Sequence, residues 1–287
     1  YHSTKDIYQF MDRLISKHSS IAKSFDVGKT YKGQTIRGVK ISKGNGSNKK
    51  AWILHGGIHS REWITVSTVS YLMDQLITQS ESNSKIKNLL NNFDVYLIPV
   101  VNVDGYEHTR TQDRYWRKNL QPIPGTQCTG VDLNRNWDYQ WSNSGKDPCK
   151  EDYPGTGAFT APETSNLAKF ISNVPNKSVY IDVHAYGNMW MYPYGYKCDQ
   201  AETSSELHTL SQIATKAMVQ EGGPQFKYGS ICKTIYPALG SSVDWGYGVA
   251  KVKYPFAVEL KGSPETGGFV QPASAIIPQG KEFTAAI

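Results

Sequence analysis

His59, Ser60, Arg61 and Glu62 place an imidazole and a carboxylate three residues apart. That spacing is close to one helical turn, so both side chains can face one point. Histidine and glutamate are both ligands of Zn²⁺. Alone the pair says little, because a solvated helix start produces the same pattern. His184 and Glu259 change its meaning. Each lies at or near the end of an apolar run that reads as a strand, and open α/β sheets bind ligands at the carboxyl ends of their strands. Two histidines and one carboxylate leave one tetrahedral position for water, the pattern of a catalytic zinc site. Glu259 is then free to act as base toward that water.

Other chemistries drop out. Gly28-Lys29-Thr30 resembles the end of a phosphate-binding loop, but Lys23 stands where that loop needs glycine. Asp132, Asn134 and Asn136 imitate a calcium loop, yet Trp137 occupies the glycine position and Asn143 the final glutamate position. There is no H-E-x-x-H and no G-x-S-x-G. The net charge of +6 comes from scattered Lys and Arg rather than a basic stripe, so nucleic acid is not an expected partner. No apolar run nears the roughly 18 residues of a membrane span. No basic segment followed by an apolar one opens the chain, so a secreted form is expected to be a processed one. With 39% hydrophobic residues, 18 Tyr and 7 Trp, the chain can bury a large core.

These residues need elements to position them. Ala51–Leu54 is a short apolar run that stops at Gly56-Gly57, just before His59. Along Trp63–Ile77, Val69, Leu72, Met73 and Leu76 recur at helical spacing. Thr35–Ile41, Phe93–Val101, Ser178–Val183 and Lys253–Leu260 read as strands, with a polar turn over Ser42–Lys50. Ala161–Ser172 and Ser204–Glu221 read as helices, the first opened by Pro162 and the second stopped by Gly222-Gly223. Strands alternating with helices predict an α/β fold with a largely parallel sheet covered on both faces. A length of 287 residues allows one large α/β domain or two smaller ones. Arg110–Gly157 shows little periodicity, and so long an irregular stretch is usually functional or cross-linked.

The four cysteines, Cys128, Cys149, Cys198 and Cys232, form no C-x-x-C pair. An even count with wide spacing fits two disulfides and an oxidising compartment, with three pairings open. A Cys128–Cys149 bridge would close a loop of about 20 residues, worth roughly 3 kcal/mol in the chain-entropy account. Asn45 and Asn176 begin N-x-S sequons, which fit a secreted protein.

Several longer runs carry a resemblance: Gly57–Ile64 (GIHSREWI), Tyr115–Asn119 (YWRKN), Gly130–Trp137 (GVDLNRNW) and Asp182–Tyr186 (DVHAY). Ile235–Ala238 (IYPA), Asp244-Trp245 and Phe256–Leu260 (FAVEL) complete the set. Over nearly its whole length the chain resembles the zinc metallocarboxypeptidases of the digestive A/B type. The resemblance implies a single α/β/α domain around a mixed, mostly eight-stranded sheet, with one Zn²⁺. It implies that His59, Glu62 and His184 are the zinc ligands and that Asp132 orients the first histidine. Asn134, Arg135 and Tyr236 would grip the terminal carboxylate of a peptide, a task suited to a planar guanidinium. Arg117 would polarise the scissile carbonyl, and Glu259 would be the general base. Arg61, Tyr186 and Phe269 match subsite residues, and Arg114 an accessory anchor. The disulfides implied are Cys128–Cys149 and Cys198–Cys232.

In the resemblance, the pocket floor is Val243, where basic-specific relatives carry aspartate. An apolar floor favours aromatic or aliphatic C-terminal residues, since a cation buried there would lack a counter-charge. Ala185, Ser241, Ser242 and Pro237 depart from residues common in the family, and the two serines could narrow the pocket. Family members also have an N-terminal pro-domain and a longer final helix, so the sequence looks like an activated, secreted, monomeric form ending at Ile287. Two alternatives stand beside a carboxypeptidase: a zinc deacylase or amino-acid-conjugate hydrolase on the same fold, and a non-catalytic peptide-binding module.

Overall fold

The structure, a computed structural model, describes residues 1–44, 46, 48–262 and 268–287. Asn45, the first sequon asparagine, lies outside the described residues, whereas Asn176 is exposed in a turn at φ +50°. The strands are β1 Ala22–Lys29, β2 Thr35–Ile41, β3 Lys50–His55, β4 Phe93–Ile98, β5 Lys177–Ala185, β6 Met189–Tyr192, β7 Lys227–Ser230 and β8 Tyr254–Leu260. They form one mixed eight-stranded sheet in the order β1-β2-β4-β3-β5-β8-β6-β7. The centre, β4-β3-β5-β8, is parallel, and antiparallel pairs flank it. The expectation of a single α/β/α domain holds.

The helices are α1 Thr4–Lys17, α2 Trp63–Thr78, α3 Ser84–Asn92, α4 Val103–Thr111, α5 Pro162–Asn173, α6 Ser204–Gln220, α7 Ile231–Thr234, α8 Ser242–Gly248 and α9 Ile276–Ala286. In α1, a reciprocal Ser3–Asp6 capping box satisfies the first turn, and Ile7, Met11 and Leu14 bury one face. The sheet register separates the two layers. Trp52, Val95 and Val179 align on one face, toward α6 and α9, where Trp190 stacks on Phe283. Tyr96, Ile53 and Tyr180 align on the other, where Phe170 of α5 meets Tyr96 and Ser242 of α8 meets Asp182.

Two boundaries differ from the sequence expectation by more than one residue. β4 stops at Ile98 rather than Val101, because Pro99 has no N–H to continue the ladder. β5 runs to Ala185, so His184 is part of the strand rather than the residue after it. The stretch 110–157 is irregular as expected, with one isolated bridge, Pro122 to Thr129. Asn136 ties it down, donating to the Pro154 and Gly157 carbonyls and accepting from Ala161 N and Thr164 Oγ1. The bridges Cys128–Cys149 and Cys198–Cys232 are formed.

The loop from β3 to α2 turns at Gly57, which has φ +62°. A Cβ there would stand 2.9 Å from Val66 Cγ2 and 3.3 Å from Val100 Cα. Gly57→Ala is expected to cost at least about 2 kcal/mol, from left-handed strain plus crowding against backbone. Urea unfolding of the variant measures this, and an unchanged midpoint would contradict it.

Candidate active site

Two histidines and a carboxylate from separate parts of the chain meet at the carboxyl edge of the central strands. His59 and Glu62 come from the loop after β3, and His184 from the last turn of β5. Glu62 is not on a helical turn with His59, as the spacing suggested. It is the N-cap of α2, with φ −86° and ψ 60°, and the loop itself curls the two side chains together. His59 Nδ1 lies 3.0 Å from Glu62 Oε1, and His184 Nδ1 lies 3.3 Å from Glu62 Oε2. The two Nδ1 atoms are 3.1 Å apart. All three residues are buried, and their ligand atoms lie within 4.8 Å of one another.

The outer ring atoms decide the protonation pattern. His59 Nε2 faces Asp132 Oδ1 at 3.1 Å, and His184 Nε2 faces Asp182 Oδ2 at 2.9 Å. Each carboxylate therefore draws the imidazole proton to Nε2 and leaves a lone pair on Nδ1. Two lone pairs and a carboxylate then point at one spot. Glu62, Asp132 and Asp182 surround the two histidines from the buried side, with Asp132 paired to the Arg117 guanidinium. The two imidazole nitrogens and the carboxylate are a donor set that suits zinc. The residues fit the ion the resemblance implies.

The electrostatics agree. Burial alone would raise Glu62 and Asp132, but His59 and His184 hold Glu62 below the usual range, and Arg117 and His59 hold Asp132 well below it. Burial disfavours charge on His184, yet Asp182 and Glu62 outweigh it and push its pKa well above the ordinary value. Glu259 differs from the other carboxylates. Burial pushes it up to about 8, so it is poised to exchange a proton near neutral pH. It sits directly beside His184 in the β5–β8 register.

The remaining expected residues gather around this point. Asp132 is fixed by an Asx turn, accepting from Asn134 N at 2.9 Å, and binds Arg117 through Nη2 at 3.0 Å and Nε at 3.2 Å. Asn134 is oriented by Ser242 N, which donates to its Oδ1 at 2.8 Å. Asn134 Nδ2 lies 3.0 Å from His184 Nε2, whose proton is committed to Asp182, so the amide hydrogens remain free to donate elsewhere. Arg135 Nη2 donates to the hydroxyl of Tyr236 at 3.3 Å, and Tyr236 is half exposed. Arg117, Asn134, Arg135, Tyr236, Val243 and Glu259 share the lining of one cavity of about 70 Å³ with both histidines. Beside it, Arg114 donates to the Arg61 and Phe269 carbonyls at 2.7 and 2.6 Å. Arg61 lies over the Phe269 ring, which packs edge-on against Tyr186.

Sequence reasoning gave no role to Met191, Ile231, Ala238 and Ala257 in the cavity wall or to Asp182 behind His184, and of the two serines expected to narrow the pocket only Ser241 lines it, while Ser242 lies behind and donates to Asp182. The wall residues carry no signal beyond ordinary apolar character. Asp182 did carry one: Tyr180, Asp182 and His184 alternate along a strand whose burial predicts an apolar run.

A family profile described as zinc carboxypeptidase matches residues 7–286. The chain belongs to this family. This zinc carboxypeptidase is 37% identical over 285 residues to the zinc carboxypeptidase of Simulium vittatum, covering 98% of this chain and 92% of that one. It is 38% identical to metallocarboxypeptidase A of Arthroderma otae, covering 99% of this chain and 69% of that one. Among solved structures, carboxypeptidase A from Helicoverpa armigera superposes with a TM-score of 0.91 at 28% identity, covering 99% of this chain and 71% of that one. Bovine thrombin-activatable fibrinolysis inhibitor, solved with a tick carboxypeptidase inhibitor, gives 0.89 at 32% identity, with 100% and 94% coverage. The protein is a metallocarboxypeptidase, acting on peptide C-termini.

Because His184 is held protonated without metal, zinc must displace a proton from the site. Zinc affinity is therefore expected to rise with pH, by up to about tenfold per unit, until that proton is lost. Chelator-competition titrations at several pH values test this, and a pH-independent dissociation constant would contradict it.

Proposed function

We propose that this zinc carboxypeptidase removes single C-terminal residues with aromatic or aliphatic side chains, using one Zn²⁺ held by His59, Glu62 and His184. The observation that carries the reading is the shared lining: a carboxylate with a raised pKa and a paired guanidinium face one cavity with the two histidines. A bound Zn²⁺ supplies Lewis acidity toward the scissile carbonyl and lowers the pKa of water. Asn134, Arg135 and Tyr236 hold the substrate's free carboxylate, so internal peptide bonds are rejected. The exposed Tyr236 side chain closes over the bound end. Arg117, locked by Asp132, stabilises negative charge developing on the carbonyl oxygen. Glu259 takes a proton from the attacking water and gives it to the leaving amine. Arg61, Tyr186, Phe269 and Arg114 form the wall that meets residues upstream of the cleaved bond.

Specificity follows from the pocket floor. Val243 is buried there, and Glu259 is the only carboxylate among the described residues that line the cavity. A C-terminal Lys or Arg would enter without a dedicated counter-charge. The disulfides support secretion into an oxidising space. The Arthroderma relative is longer than this chain, which supports a further segment such as a pro-domain before activation.

The test is mass spectrometry of a peptide pool ending in Phe, Leu, Arg, Lys and Glu. Trimming of Phe and Leu alone, abolished by chelation, is expected. Loss of Arg or Lys instead would overturn the pocket assignment, and Val243→Asp should shift trimming toward them. Glu259→Gln should keep zinc and peptide affinity while kcat falls by about 10²–10⁴; normal turnover would remove Glu259 as the base.

A further inference from the structure

Behind His184 lies a second layer of polar groups that the proposed reaction does not use. β3 and β5 run parallel with His55 opposite Asp182. Tyr180, Asp182 and His184 alternate along β5 and so share one face, the face on which His55 lies. All four residues are buried. His55 Nε2 is 2.6 Å from the Tyr180 hydroxyl, and His55 Nδ1 is 3.4 Å from Asp182 Oδ1. The other oxygen, Asp182 Oδ2, takes Ser242 Oγ at 2.5 Å and His184 Nε2 at 2.9 Å.

One proton arrangement satisfies this chain. If Nε2 of His55 carried the proton, its bare Nδ1 would face a buried carboxylate oxygen, acceptor against acceptor. If the Tyr180 hydroxyl donates to Nε2, then Nδ1 carries the proton on the side of the Asp182 carboxylate. Asp182 then bridges two imidazoles, His55 on one oxygen and His184 on the other. His55 Nδ1 and Asp182 Oδ1 are both buried and neither makes a hydrogen bond, so at 3.4 Å they face each other and the contact between them is electrostatic. Remove His55, and the buried Oδ1 loses the ring N–H dipole that faces it. The carboxylate would relieve that by rotating, which loosens its grip on His184 Nε2.

We propose that His55 is a positioning residue for the metal centre: through Asp182 it fixes the tautomer and orientation of His184, and so tightens zinc binding. The inference rests on the reading of His59, Glu62 and His184 as the zinc ligands. It extends support for the metal one residue beyond the carboxylate that touches the ligand, and that support comes from a neighbouring strand.

Zinc dissociation constants measured by chelator competition test it, with thermal unfolding of the metal-free protein alongside. His55→Leu is expected to weaken zinc at least about tenfold, the usual range for losing a polar partner behind a metal ligand. His55→Asn places an amide Nδ2 where the ring Nδ1 was and should stay within about threefold of wild type, since it keeps the donor to Asp182. In an Asp182→Ala background, His55→Leu should add less than about twofold, because its route to His184 is already cut. A His55→Leu protein with wild-type zinc affinity but a lowered unfolding temperature would overturn the proposal and leave His55 as packing alone. Should His55→Leu fail to fold, Tyr180→Phe, which frees the His55 tautomer, should weaken zinc at least about threefold, and an unchanged constant there would overturn it. A wild-type chain that takes up no zinc would instead sink the ligand assignment beneath it.

Discussion

Three electron-pair donors held against one another in a buried space are the constraint on which this structure is organised. His59 Nδ1, His184 Nδ1 and the two Glu62 oxygens approach to about 3 Å, a separation that costs energy unless a proton or a metal ion lies between them. Such an arrangement persists only if rigid surroundings over-determine it. The parallel strands β3, β5 and β8 supply that rigidity, because their ladders fix where each carboxyl end stops. Their buried flanks exclude the water that would otherwise separate like groups.

The electrostatics extend outward from that point in alternating layers. Asp132 and Asp182 set the imidazole tautomers, Arg117 offsets Asp132, and Ser242 and His55 address Asp182. Glu259 stands apart: burial raises its pKa, Glu62 adds to the rise, and His184 and Arg117 oppose it without cancelling it. The same shell thus holds carboxylates kept ionised for binding and one kept ready to accept and release protons.

The irregular stretch 110–157 is the price of combining this centre with substrate recognition. It contributes Arg114, Arg117, Asp132, Asn134 and Arg135, residues that no single strand or helix could aim at one spot. Backbone turns, the Asn136 hydrogen bonds and the Cys128–Cys149 bridge hold it in place of regular structure. Gly240 serves the same end: its φ is +62°, and a Cβ would come within 2.4 Å of the Arg135 carbonyl oxygen.

The sequence alone determined which chemistry was possible and most of the elements near the site. The apolar runs of β3, β5 and β8 and the helical spacing in α2 were legible because burial imposes a period on side chains. The ligand types were legible because few residues bind zinc. The short strands β6 and β7 and the helices α7 and α8 were not, since four to seven residues carry too little pattern. The sequence also misjudged His59 and Glu62 as neighbours on a helical turn, when a loop ending in an N-cap brings them together. Only the tertiary structure decided which of many polar residues share a point. Residues 59, 184 and 259 meet through parallel pairing between strands far apart in the chain, Asp132 reaches them from the irregular stretch, and no local spacing encodes that register. Asp182 and His55 show the same limit: each looks like an isolated polar residue in an apolar strand until the β3–β5 ladder sets them opposite each other.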